Sequence, residues 1–165
     1  KGDFDFLRER APALIGWGES SDAHHMSTPH PQGLGARLAL EGALARAGLA
    51  AADVDYINLH GTATPRNDEV EAGVVAAAFD ARTRASSTKG WTGHTLGAAG
   101  ILESVVCLLA MEHGLIPGTL NCEDPDPVCG PQIALRNETA DVRIALSNSF
   151  GFGGSNCSLI LGVAP

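Results

Sequence analysis

The chain has 165 residues, of which 44% are hydrophobic and 18% charged, a balance that predicts one globular domain rather than a disordered segment. The formal net charge is -8 and lysine and arginine form no run, so we expect no nucleic-acid partner, because sequence-independent binding needs a basic face. Uninterrupted apolar runs fall well short of the ~20 residues that cross a membrane, so we expect no membrane association.

The first third of the chain predicts a strand, a helix and a second strand. Residues 1–6 carry two acids and no apolar segment, which argues against a signal peptide and for a cytoplasmic protein. Residues 14–18 predict a short strand, residues 20–32 a polar loop, and residues 33–48 a helix. Residues 56–59 predict the next strand.

The rest of the chain repeats this alternation. Residues 68–79 predict a helix with acids in its first turn, and residues 85–88 predict a short buried strand. Residues 97–113 predict a helix that is apolar nearly all round, which we expect to be buried inside the molecule or against a partner. Residues 142–148 and 157–162 predict two strands joined as a hairpin. This order predicts an α/β layered domain.

Neither the cysteines nor the loop histidines predict a metal site. Cys107 and Cys157 lie in apolar patterns that favour buried packing. Cys122 and Cys129 lie in a proline-rich loop, and their spacing matches no common zinc pattern. The three histidines of residues 24–30 lie in a polar loop without supporting ligands, so we expect them at a surface or interface. No metal and four free thiols are expected.

Two histidines occur in similar settings, and a lysine precedes the second. His60 follows the predicted strand 56–59, and His94 comes shortly after the predicted strand that ends before Lys89. Small residues follow each histidine. Two imidazoles at strand ends can aim N–H donors at one carbonyl oxygen and stabilise the negative charge that develops there. The pair therefore predicts an oxyanion site and carbonyl chemistry.

Three segments carry a family resemblance: residues 60–64 with the sequence HGTAT, residues 89–100, and residues 148–156. They occur in the same order and at similar spacing in β-ketoacyl-acyl carrier protein synthases, which residues 20–26 and 114–121 also resemble. The chain most resembles the type II elongating condensing enzymes of fatty acid, polyketide or polyene synthesis.

The resemblance implies a thiolase-like fold, a sheet sandwiched by helices, of which residues 1–165 match only the C-terminal half. The family's nucleophilic cysteine lies on a strand-to-helix turn in the other half, and no cysteine here has that setting. We therefore expect the N-terminal half to be absent from this chain, and the isolated chain to be inactive. The family also implies no cofactor, acyl carrier protein as partner, and a homodimer, with a heterodimer as the alternative.

The resemblance also implies roles for particular residues. His60 and His94 would bind the thioester oxygen of malonyl carrier protein as it loses its carboxylate. Lys89 would support them as a charge paired with Glu103.

Three further residues match the family's substrate contacts. Thr62 and Thr64 match threonines that hydrogen-bond the pantetheine arm of the carrier protein. Phe150 matches an aromatic gate beside the nucleophile, whereas Phe152 is expected in the core.

Two rival functions remain. The chain could belong to a non-catalytic partner subunit of the chain-length-factor type, although the full set of His60, Lys89 and His94 favours an enzyme. A thiolase acting on coenzyme A shares the fold but has a second cysteine where condensing enzymes have the second histidine, so His94 argues against it. A cysteine on a strand-to-helix turn upstream of this chain would distinguish enzyme from partner subunit.

Overall fold

Five strands form the main sheet of the computed structural model, which describes residues 11–163. In chain order the strands are β1 (Pro12–Ser21), β2 (Tyr56–Asn58), β3 (Arg84–Ser86), β4 (Leu115–Ile116), β5 (Glu138–Thr139), β6 (Ile144–Gly151) and β7 (Ser155–Val163). The main sheet has the order β1-β7-β6-β2-β3, and β4 pairs with β5 separately. Because β2 is parallel to β3 and β6, the carboxyl ends of these three strands meet at one end of the sheet.

Helices cover both faces of this sheet. They are α1 (Leu34–Ala47), α2 (Pro65–Ala78), the short α3 (Lys89–Thr92) and α4 (Ala99–His113). Helices α1 and α2 pack over one face, where Leu40 and Val75 join Ile57 and Leu146 in one apolar core. Helix α4 covers the other face, where Cys107 packs with residues of β2, β6 and β7 in a second core. The predicted alternation of strands and helices and the final hairpin are confirmed.

The structure differs from the sequence predictions at several element boundaries. Helix α2 begins at Pro65, which suits the first helical position because proline lacks the N–H that would be unpaired there. Glu71 therefore lies beyond the first turn. The strand predicted over residues 85–88 ends at Ser86, and Lys89 begins α3. Strands β4 and β5 were not predicted, because two residues each show no periodicity. The prediction that residues 1–6 are not a signal peptide concerns residues outside the described range.

Helix α4 is buried on one face only, although its sequence is apolar nearly all round. Glu103 and Cys107 face the sheet, whereas Ile101, Val105 and Leu109 remain 69%, 47% and 45% exposed. By length and composition the helical segment Leu96–His113 could also cross a membrane, which uninterrupted apolar runs did not indicate. Its packing against the sheet is equally typical of the core helix of a globular domain.

Within residues 11–163, β1 is one of the two edge strands of the main sheet, and one side chain of α1 lies against it. The guanidinium of Arg46 stacks over the Trp17 ring, 4.9 Å from its centroid, and donates a hydrogen bond to the Trp17 carbonyl oxygen. An arginine over an indole face gains a cation–π interaction. Arg46 thus ties α1 to the backbone of β1.

Close approach of α1 to β1 requires glycine at position 18. A Cβ atom there would overlap the carbonyl oxygen of Ala39 in the α1 backbone. We expect Gly18→Ala to lower the free energy of unfolding by about 1–3 kcal/mol, as for other overpacked core sites. Gly73→Ala is the control: it lies in α2 with no atom within 4 Å of its added Cβ. That variant should gain about 0.5–1 kcal/mol, because glycine weakens a helix interior. Equal effects of the two variants in urea unfolding would contradict the prediction.

Candidate active site

His60 is held at the carboxyl end of β2 by a buried carboxylate. Glu71 on α2 accepts hydrogen bonds from the backbone N–H groups of His60 (2.9 Å) and Gly61 (2.8 Å). The same carboxylate accepts a hydrogen bond from the Asn148 side chain of β6, at 3.2 Å. One side chain therefore joins the loop after β2, helix α2 and strand β6 behind the imidazole.

His94 reaches the same place by a different route. The prediction that it closely follows a strand is wrong, because α3 and Gly93 lie between β3 and His94. Gly93 has a φ of 70°, a left-handed conformation that glycine adopts without strain and that ends the short helix. The rings of His60 and His94 have centroids 5.4 Å apart and planes at 82°. His60 is buried and His94 is exposed, so the pair opens toward solvent.

Phe150 completes one wall of this pair. It lies within β6 rather than in the predicted turn, and its ring centroid is 5.7 Å from that of His60. Phe152 was expected in the core and is 85% exposed, so that prediction is wrong. It belongs to a single 3₁₀ turn, with Gly153 at a φ of 81°, that connects β6 to β7.

Lys89 and Glu103 form a buried ion pair beside the histidines. Lys89 Nζ contacts Glu103 Oε1, and both side chains are almost completely buried. This contact joins α3 to α4. Burial raises the pKa of Glu103, and the Lys89 ammonium opposes that change. The contact that the family resemblance implied is therefore present.

The environment of His60 favours the neutral imidazole. Burial, together with the nearby charges of Lys89 and His94, lowers the pKa of His60 to about 3. At neutral pH its ring is then uncharged and carries one N–H. Its Nδ1 is buried and has no hydrogen-bond partner among the described residues.

Thr62 and Thr64 lie on the loop that follows His60. Their hydroxyl oxygens are 2.8 Å apart, and Thr64 is exposed while Thr62 is half-buried. Ala63 between them has a φ of 58°, a strained conformation for a residue with a Cβ. The loop thus places two neighbouring hydroxyl groups close after His60, at the carboxyl end of β2.

Three of the four cysteines of the chain are poorly suited to nucleophilic catalysis. Burial raises the pKa of the Cys107 thiol to about 12, and burial also raises the pKa values of Cys129 and Cys157. A thiol reacts as its thiolate, so a raised pKa makes it less reactive at neutral pH. Within residues 11–163, no group of three or more potential ligands could hold a metal ion. A groove of about 650 Å³ lies beside Trp91, but the two histidines do not line it.

Glu71 is the residue of this site that sequence reasoning missed. It was assigned to the helix N-terminus on the basis of charge, whereas its carboxylate lies under the His60 loop. The available signal was its place between Val70 and Val74, on the apolar face of α2. A charge on a buried face needs partners, and here they are backbone N–H groups.

Replacing Glu71 should destabilise the protein through those N–H groups. Glu71→Ala leaves the amides of His60 and Gly61 without an acceptor, at a cost of about 1–3 kcal/mol for each buried group. Glu69→Ala is the matched control on the same helix, because Glu69 is exposed and forms a surface ion pair with Arg66. Loss of such a surface pair costs about 1 kcal/mol or less. Unfolding in urea should separate the variants clearly, and equal midpoints would refute this role.

Most of the chain is similar to proteins of one family. Residues 13–123 match the family described as "Beta-ketoacyl synthase, C-terminal domain". A mitochondrial 3-oxoacyl-[acyl-carrier-protein] synthase of Arabidopsis thaliana is 45% identical over 154 residues, which cover 89% of this chain and 33% of that protein.

Two solved structures share the fold. A ketosynthase in complex with its chain length factor from Xenorhabdus doucetiae matches with a TM-score of 0.86 and 47% identity, over 93% of this chain and 39% of that one. A type II polyketide synthase acyl-carrier protein in complex with its ketosynthase matches with a TM-score of 0.85 and 26% identity. This match covers 98% of this chain and 42% of the matched chain. The thiolase-like α/β fold is thus confirmed, and the chain spans about two fifths or less of these relatives.

Proposed function

Because the chain belongs to the C-terminal domain family of the β-ketoacyl synthases, we propose that it supplies the two histidines of a decarboxylative condensing enzyme. The whole enzyme would be a 3-oxoacyl-[acyl carrier protein] synthase of fatty acid, polyketide or polyene synthesis. The observation that carries this proposal is the juxtaposition of His60 and His94, with ring centroids 5.4 Å apart and Lys89 beside them.

The two imidazoles would act on the malonyl thioester. When the bond to the carboxylate breaks, carbon dioxide leaves and its bonding electrons form an enolate with negative charge on the thioester oxygen. Two N–H donors aimed at that oxygen stabilise the charge as it develops. The carbanion then attacks the acyl thioester carbonyl, forming a carbon–carbon bond and releasing the enzyme thiolate.

The tautomer of His60 suits this role. The proposed role needs the single proton of the His60 ring on Nε2, since Nδ1 is buried without a hydrogen-bond partner among the described residues. With its pKa lowered to about 3, His60 is a neutral imidazole at neutral pH and carries one N–H for the substrate. Lys89 supports this state, because its ammonium opposes a second positive charge nearby. Glu103 holds Lys89 in place and is not an acid or base in the reaction.

The substrates would arrive on an acyl carrier protein. The exposed loop with Thr62 and Thr64 offers two hydroxyls that can hydrogen-bond the amides of a pantetheine arm. Phe150, 5.7 Å from His60, would act as the aromatic gate beside the acyl chain. One related structure is a ketosynthase in complex with an acyl-carrier protein, which supports the choice of partner.

The nucleophilic cysteine would come from a complementary N-terminal half. The high thiol pKa values of Cys107, Cys129 and Cys157 support this assignment, as does the chain's coverage of only 39% of a related ketosynthase. Residues 1–165 would then be the C-terminal subdomain of the synthase. A homodimer in the cytoplasm, without an organic cofactor, completes the proposal.

One rival has support of its own. A related structure contains a ketosynthase with its chain length factor, so a heterodimer and a non-catalytic role are the second candidate. Against that role, this chain has both histidines and the Lys89–Glu103 pair, which a subunit without chemistry does not need.

The isolated chain provides a direct test. Incubated with acyl and malonyl carrier protein, it should neither condense them nor form an acyl adduct, whereas the assembled synthase should do both. Mass spectrometry of the intact proteins detects the adduct. Turnover together with an acyl group on any of the four cysteines of the isolated chain would refute the assignment. An assembled protein with no acyl adduct would favour the non-catalytic subunit.

A further inference from the structure

We propose that Ser87 and Thr88 are positioning residues of the candidate active site, because their hydroxyl groups fix the segment that carries His60 against the segment that carries Lys89. This inference deepens the proposed function and rests on it, since it takes His60 as the oxyanion donor. We call the hydrogen bonds of these two hydroxyl groups to residues 58 and 61 the bracket bonds.

The bracket bonds lie on either side of His60. Before it in the chain, the Asn58 side chain donates a hydrogen bond to Thr88 Oγ1, at 3.1 Å. After it, the Gly61 carbonyl oxygen accepts a hydrogen bond from Ser87 Oγ, at 2.7 Å. The short segment that bears His60 is thus joined at both ends to two consecutive residues.

The bracket bonds continue a contact that the sheet begins. Strands β2 and β3 pair in parallel as far as Asn58 and Ser86, and the backbone N–H of Leu59 then donates to the Ser86 carbonyl oxygen at 2.9 Å. Among the described residues, that is the last backbone hydrogen bond between these two segments. Beyond it, side chains make the connection. The approach is close enough to need glycine at position 61, where a Cβ atom would lie 2.5 Å from that of Ser87.

Burial makes the bracket bonds hard to replace. Asn58, Thr88 and Ser87 are 0%, 3% and 9% exposed. A buried donor or acceptor that loses its partner bears the full cost of its desolvation, because water does not take the partner's place. Asn58 is itself fixed, since its amide nitrogen also donates to the buried hydroxyl oxygen of Tyr56, at 3.1 Å. The two segments therefore have one preferred spacing.

That spacing determines how strongly Lys89 acts on His60. Burial is the largest cause that lowers the pKa of His60 to about 3, and the charge of Lys89 is the next. The interaction of two charges weakens as they separate, so a looser connection would raise this pKa. The other titratable groups around His60 are Glu71 of α2, Glu103 of α4 and His94. Glu103 holds the Lys89 ammonium from α4, and the bracket bonds hold the backbone that directly precedes it.

A titration of His60 in the chain of residues 1–165 tests the bracket bonds. Thr88→Val removes the hydroxyl group but keeps the branched shape, and it should raise the protonated fraction of His60 near pH 4.5 at least about threefold. Thr88→Ser keeps a hydroxyl group and should restore the native titration. Carbon-13 NMR of labelled histidine measures the titration, and the His60 signal is identified by its loss in His60→Ala.

Thr83→Val is the matched control. Thr83 is 2% exposed, and its hydroxyl group donates to the Val54 carbonyl oxygen at 2.9 Å. This variant also loses a buried hydroxyl bond, but it does so just before β3, whereas Thr88 follows β3. It should destabilise the chain in urea about as much as Thr88→Val and leave the titration of His60 unchanged.

Each outcome has a clear meaning. An unchanged titration in Thr88→Val, or an equal change in Thr83→Val, would overturn the proposal. Equal changes in Thr88→Ser and Thr88→Val would assign the effect to packing and also overturn it. If Thr88→Val does not fold, Ser87→Ala decides by the same criterion, since it removes the other bracket bond. The titration needs no turnover, so the expected change together with an assembled synthase that releases no carbon dioxide would refute the proposed function alone.

Discussion

His94→Ala in the assembled synthase is expected to lower the rate of malonyl decarboxylation by about 10²–10³, the usual cost of removing one oxyanion donor. His60→Ala should have an effect of similar size. The two rings lie with centroids 5.4 Å apart, so each can donate to the same oxygen but neither can replace the other's direction of approach. Release of carbon dioxide from malonyl carrier protein measures this step without condensation.

The matched control for this loss is His113→Ala. His113 is exposed at the last position of α4, on the same helix that follows His94. Its removal should leave the decarboxylation rate unchanged. The double variant at His60 and His94 should lose little more than the worse single variant, because residues that act on one oxygen are not additive. A normal rate in His94→Ala would remove the basis of the proposed function.

Glu103→Ala should lower the free energy of unfolding by about 3–5 kcal/mol, because it leaves the ammonium of Lys89 buried without a partner. Lys89→Met should cost less at low pH than at neutral pH. Burial already raises the pKa of Glu103, and without Lys89 the carboxyl group would take up a proton as the pH falls, which removes the unpaired charge. Urea unfolding at two pH values measures both effects.

The double variant Lys89→Met with Glu103→Leu distinguishes the contribution of the ion pair to stability from that of side-chain packing. With both charges gone, much of the lost stability should return, since apolar side chains of similar volume often replace a buried ion pair without loss. The exposed pair Arg66–Glu69 is the control, and its removal should cost about 1 kcal/mol or less. Similar losses at the buried and the exposed pair would mean that burial does not determine the effect.

The sequence predicts the general fold because helices and strands that pack against each other have regularly spaced apolar residues. The alternation of strands and helices follows from apolar spacing. The ends of the helices and strands were less predictable, because they depend on single residues. Pro65, for example, starts α2 before the first residue of its apolar pattern. The one-sided exposure of α4 was not predictable, since Ile101 and Cys107 are both apolar and only the tertiary structure distinguishes them.

The two histidines and the Lys89–Glu103 pair were predictable from the sequence, but the role of Glu71 was not. His60 directly follows β2, whereas helix α3 separates His94 from β3, so the position of His94 depends on that helix as well as on the strand. Glu71 was misassigned because the partners of its carboxylate are backbone amides, which no side-chain motif reveals. Phe152 was misplaced because it lies in the turn between β6 and β7, where its own hydrophobicity does not reveal that it stays exposed.

The stacking of Arg46 on Trp17 bears on how the chain behaves before it meets a partner. An open edge strand such as β1 is a template on which other chains can add strands and aggregate. Arg46 hydrogen-bonds the Trp17 carbonyl oxygen of that strand and places a charge beside it. A charge on an edge strand disfavours pairing with a strand of another chain, so this contact makes edge-to-edge aggregation less favourable.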